Sequence, residues 1–68
     1  MLQVRKRVQR ELHSLILDGY RLVARVDFGQ SLVCTLKHSR TGARLTVIGS
    51  RKELVLKKAG KVLKRDTF

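Results

Sequence analysis

The stretch Ser50-Arg51-Lys52-Glu53-Leu54-Val55-Leu56-Lys57-Lys58-Ala59-Gly60-Lys61-Val62-Leu63-Lys64-Arg65 decides the fold of this chain, because it satisfies two incompatible patterns. Ser50 and Glu53 stand at capping-box spacing, in which the serine oxygen accepts from the Glu amide and the Glu carboxylate reaches back. Leu54, Val55, Ala59, Val62 and Leu63 then form a helical stripe, which Gly60 weakens or ends at a cost of about 1 kcal/mol relative to Ala. The rival pattern is the alternation of Leu54 and Leu56. It makes residues 53–57 and 61–65 a β-hairpin turning at Lys58-Ala59-Gly60. The capping box favours a helix over about 51–59, with Gly60 as its C-terminal cap.

Upstream of this stretch the periods are clearer. Ser39-Arg40-Thr41-Gly42 is a turn cluster, and Ala43, Leu45 and Val47 alternate with Arg44, Thr46 and Ile48 after it. Before it, Leu32, Cys34 and Leu36 alternate with Val33, Thr35 and Lys37. Before the Gly29-Gln30 break, Tyr20, Leu22, Ala24, Val26 and Phe28 alternate with Arg21, Val23, Arg25 and Asp27. Short connections between these three strands predict an antiparallel meander. At the start, Val4, Val8, Leu12, Leu15 and Ile16 make one stripe of a helix over roughly 3–17, which Asp18-Gly19 ends. The expected fold is therefore α+β. An N-terminal helix packs on a three-stranded antiparallel sheet closed by a basic C-terminal helix, the alternative being a C-terminal β-hairpin.

Residues 1–68 suffice for one small domain, burying only about 60% of the surface of the unfolded chain. Hydrophobic residues make up 43% and charged residues 31%, the balance of a folded chain rather than a disordered one. No apolar run exceeds three residues, so neither a transmembrane helix nor a secretory signal is expected. The single cysteine, Cys34, excludes an internal disulfide and suits a reducing, cytoplasmic setting.

Catalytic and metal chemistry find little to work with. His13, Cys34 and His38 are the soft ligands, short of the four that structural zinc takes, and Cys34 between inward-facing leucines reads as core. No metal or cofactor is expected. The acids Glu11, Asp18, Asp27, Glu53 and Asp66 are scattered without a telling pair, and no glycine-rich phosphate loop occurs. His38 ends a strand beside Arg40, where an imidazole and a guanidinium could meet a phosphate.

Charge is the informative feature: sixteen Lys and Arg against five acids, a formal net charge of +11. Such an excess repels itself in the compact state and suits a polyanion, nucleic acid being the commonest. The candidate contacts are Arg5, Lys6, Arg7 and Arg10 on the first helix, Arg40 in the turn, and Arg51, Lys52, Lys57, Lys58, Lys61, Lys64 and Arg65 in the last segment. The outer sheet face also carries Arg21, Arg25, Lys37 and Arg44. With Tyr20, Phe28 and Phe68 as the whole aromatic set, no stacking platform is expected, so recognition would be of backbone and shape. On the outer face Val23, Arg25, Val33, Arg44 and Ile48 make a second candidate, a protein-contact surface for an acidic partner or a second copy. The first helix lacks Trp and Phe and is needed over the sheet, so no membrane partner is expected.

The layout resembles the HicA-type mRNA interferase toxins. The residues that carry the resemblance are Leu12-x-x-Leu15-x-x-x-Gly19-Tyr20 and the closing Leu54-Val55-Leu56-Lys57-Lys58-Ala59-Gly60, together spanning about two-thirds of the chain. The resemblance implies a double-stranded-RNA-binding-like α-β-β-β-α fold and contact with RNA in preference to DNA. Family members enter the second strand through Gly-Ser-His, whose histidine is catalytic. Here the corresponding residues are Gly29-Gln30-Ser31-Leu32, without histidine. The functional expectation is a non-enzymatic nucleic-acid-binding protein. A modulator of an acidic partner protein and a toxin-like ribonuclease using His38 are the alternatives.

Overall fold

The computed structural model describes residues 4–68. One helix, α1 (Val4–Leu17), precedes β1 (Tyr20–Asp27), β2 (Ser31–His38), β3 (Arg44–Ser50), β4 (Glu53–Lys58) and β5 (Lys61–Thr67). Residue 3 of the expected first helix lies outside the described residues. The five strands form one antiparallel sheet in chain order, and α1 lies across β1, β2 and β3 on one face. Val8 and Leu15 are buried under it against Leu32, Cys34, Leu36, Leu45, Val47 and Leu54, with Val4, Leu12, Tyr20 and Leu56 packed around them. Ile16 completes the sequence stripe but is half exposed.

The helix approaches β3 tightly at Gly49. A Cβ there would overlap the Val8 side chain and crowd Val4, so glycine at this point of β3 lets the helix lie directly on the strand.

The expected closing helix over 51–59 is a β-hairpin, β4–β5, which makes the sheet five-stranded rather than three-stranded. Its turn is Ala59-Gly60, both with positive φ (52° and 81°). That is the two-residue geometry whose twist matches paired strands. Half of the capping box does form. The Ser50 hydroxyl accepts from the amides of Lys52 (3.3 Å) and Glu53 (3.2 Å), and it donates to the Glu53 carbonyl (3.2 Å). These bonds close the β3–β4 turn instead of capping a helix. The Glu53 carboxylate, which a capping box would turn back, pairs with Arg65 at 3.5 Å.

A second correction concerns β1. Leu22 faces Leu36 and Ala24 faces Thr35, so Val23 is a bulge and the alternation reverses after it. Arg25, expected on the outer face, is paired with buried Cys34 and lies on the helix side; Ala24 and Val26 turn outward instead. Asp27, also on the helix side, binds Arg5 of α1 at 2.6 Å. Phe28, expected inward, is 67% exposed at the β1–β2 turn. A matching irregularity between Leu56 and Lys57 brings Lys64 and Asp66 of β5 to the helix side, where Lys64 bonds Glu11 at 3.1 Å.

Among the described residues no helix covers the opposite face. Its rows can be read from the strand register: Arg21, Lys37 and Arg44; then Ala24, Thr35, Thr46, Lys57 and Val62; then Val26, Val33, Ile48, Val55 and Arg65. Val55 is almost fully buried yet stands apart from the helix-side core. Every residue of β5, and of β1 after Tyr20, is exposed. The surface is accordingly 4992 Å², against roughly 4,400 Å² for a compact chain of this mass.

Candidate nucleic-acid interface

The basic residues do not form one surface; the meander separates them by sheet end. The helix N-terminus and the β1–β2 and β3–β4 connections lie at one end, and the β2–β3 and β4–β5 turns at the other.

Toward the first end several cations are engaged. Arg5 pairs with Asp27, and the Arg7 guanidinium stacks 3.3 Å from the Phe68 ring centroid. Lys64 pairs with Glu11 and, at 3.6 Å, with Asp66, and Arg65 pairs with Glu53. An open groove of about 330 Å³ runs between α1 and the β4–β5 hairpin, with Arg7, Arg10, Glu11, Leu54, Lys64 and Asp66 along it. Its charges largely answer one another. Lys6 and His13 lie on the exposed back of α1, Arg10 is exposed between that back and the groove, and Arg51 and Lys52 form the exposed β3–β4 turn.

The second end is different. Arg21, Lys37 and Arg44 stand directly opposite one another on β1, β2 and β3. Like charges in that relation destabilise a sheet. Lys57 lies one row below on the same face, Lys58 faces Lys61 across the hairpin turn, and Arg40 sits in the β2–β3 turn. Among the described residues none of these seven cations is in an ion pair, and Asp18, in the helix-to-β1 link, is the one carboxylate at this end. Thr35 and Thr46 are paired in the next row and add hydroxyl donors beside the cations.

Of the residues expected to contact nucleic acid, the structure thus groups Arg40, Lys57, Lys58 and Lys61. It ties Arg5, Lys64 and Arg65 to carboxylates and places Lys6, Arg7, Arg10, Arg51 and Lys52 elsewhere. Arg21 and Lys37, outside that set, join the group, as does Arg44. Their strand alternation was the available signal, but only the register shows them side by side. Of the expected protein-contact face, Val33, Arg44 and Ile48 share the outer surface, Val23 is the bulge, and Arg25 is on the other side.

His38 is fully used within the chain. Its Nε2 lies 3.1 Å from the Asp18 carbonyl, and its Nδ1 accepts from the amides of Arg40 (3.1 Å) and Thr41 (3.3 Å). With Nδ1 an acceptor, Nε2–H is the donor. The Tyr20 ring meets the imidazole edge-on at 4.8 Å. His38 therefore ties the helix-to-β1 link to the β2–β3 turn and holds Arg40 beside the cation row, with neither nitrogen free to act as a base. Cys34 is wholly buried, and burial pushes its thiol above the ordinary range.

No protein family, characterised protein or solved structure matches this chain. Among the described residues no helix is long and apolar enough to cross a membrane.

Proposed function

We propose that this protein binds nucleic acid non-enzymatically, gripping phosphates with the cationic end of its sheet. The observation that carries the reading is the row Arg21, Lys37 and Arg44, three cations in register on adjacent strands without a carboxylate among them. Folding pays for that repulsion, and a row of phosphates would reverse its sign while releasing condensed counterions from the nucleic acid. Lys57 and the threonine hydroxyls extend the same surface. Backbone contacts of this kind position a protein without reading sequence. The buried free thiol of Cys34 suits a reducing, cytoplasmic setting.

Fluorescence anisotropy with labelled DNA and RNA, between about 50 and 200 mM salt, tests the reading. Binding whose logarithm falls steeply and linearly with log salt is expected. Absence of binding at the low-salt limit overturns it.

A second reading rests on the row Val26, Val33, Ile48 and Val55, an apolar strip across an uncovered sheet face beside the same cations. It suits a protein partner with an acidic rim. Under this reading nucleic acid is not bound at low salt, and Ile48→Asp abolishes partner capture from nuclease-treated extract while the fold is kept.

A further inference from the structure

The two turns at the cationic end are both flanked by cations. The β2–β3 turn is flanked by Lys37 and Arg44 and contains Arg40, and the β4–β5 turn is flanked by Lys57, Lys58 and Lys61. Both project from the same end of the sheet, because the intervening β3–β4 turn lies at the other. Their midlines are two strand intervals apart, about 10 Å at the usual interstrand spacing. They are two cationic prongs on one sheet.

That separation suits phosphates on the two sides of a groove. The major groove of B-form DNA is about 12 Å wide. Phosphates three apart on one strand, rising about 3.4 Å each, also span about 10 Å, so what separates the two cases is the surface between the prongs. Binders of single strands rely on aromatic side chains that stack with unpaired bases. Here Phe28 is at the β1–β2 turn and Phe68 is held against Arg7, both at the far end, and Tyr20 is packed against His38. The prongs therefore offer charge without a stacking surface.

We infer that the ligand is a duplex, its two strands held by the two prongs, one on each side of a groove. This rests on the nucleic-acid reading above and deepens it. A single strand then engages one prong at a time, whereas a duplex engages both, and the second contact is intramolecular.

The test measures binding of a short fluorescein-labelled duplex and of each of its constituent strands, as DNA and as RNA, at one fixed salt concentration. Three proteins are compared: wild type, the triple variant Lys37→Gln/Arg40→Gln/Arg44→Gln, and Lys57→Gln/Lys58→Gln/Lys61→Gln, with folding checked by circular dichroism. Wild type should prefer a duplex by about tenfold or more over either strand. Either triple variant should erase that preference, losing more affinity for duplex than for strand. Equal or tighter binding of single strands by wild type overturns the two-prong inference while leaving nucleic-acid binding intact. Failure to bind any probe overturns the nucleic-acid reading itself. Because a duplex has the higher charge density, its preference is assigned to the prongs by its loss in a folded variant, whereas absence of the preference in wild type overturns the inference even if a variant misfolds.

Discussion

At Gly49 the helix packs tightly on β3, and an alanine there must displace Val8, a branched and fully buried side chain. Gly49→Ala is expected to cost about 1–3 kcal/mol, the range for overpacking a tight core, measured by urea denaturation. In the sequence Gly49 is one residue in a β3 alternation, and nothing local marks the contact. The requirement comes from α1, more than forty residues earlier. Asp27 illustrates the same point with charge. Its carboxylate accepts from the Gly29 amide at 2.8 Å and pairs with Arg5, and the amide bond foremost, with Arg5 after it, holds it below the ordinary carboxylate range. A depressed folded-state value means the carboxylate's contribution is fully present above the unfolded value of 3.8. It is lost as the pH falls through the lower folded value. Acid titration of stability should therefore be shallower in Asp27→Asn than in wild type below that pH; identical profiles would remove Asp27 from the account.

At the scale of elements, the closing hairpin turns on Ala59, the only non-glycine with positive φ among the described residues. An L-residue pays about 1–2 kcal/mol for that conformation, and asparagine pays less. Ala59→Asn, which makes the favoured Asn-Gly turn, should stabilise the fold by about 0.5–1 kcal/mol in chemical denaturation. A helix over 51–59 would show no such gain, since asparagine is a poorer helix former than alanine. The residues of this segment carried both patterns because Leu54 and Leu56 alternate while Ser50 and Glu53 sit at capping distance. What settles it is tertiary: β3 offers an edge, and Val47, Ile48 and Gly49 pair with Leu56, Val55 and Leu54. The capping-box signal was a true local bond in the service of a turn. By contrast the stripes of α1 and β2 were largely legible, since both turn apolar residues to one core, with Ile16 of the α1 stripe left half exposed. In β1 the alternation was legible but its phase was not, because a bulge at Val23 leaves no mark in composition. Arg25 and Asp27 change faces for that reason alone.

Taken whole, the molecule gathers seven cations, none ion-paired among the described residues, at one end of its sheet and most of its carboxylates toward the other. The net charge was legible in the sequence; this segregation was not, because it depends on which strand ends coincide. It links stability to binding with opposite signs. Lys37 stands between Arg21 and Arg44, so Lys37→Gln should stabilise the free protein by a few tenths to about 1 kcal/mol while weakening nucleic-acid affinity. A loss of both would mean that the row is structural. The most direct measurement is the slope of log affinity against log salt for the triple variant Arg21→Gln/Lys37→Gln/Arg44→Gln. Its control is Lys6→Gln/Arg51→Gln/Lys52→Gln, at the far end. If the cation row meets phosphates of a duplex, the first variant lowers the slope by about three, close to one per contact, and the control leaves it unchanged. A slope that survives loss of the row, or falls only in the control, contradicts the account.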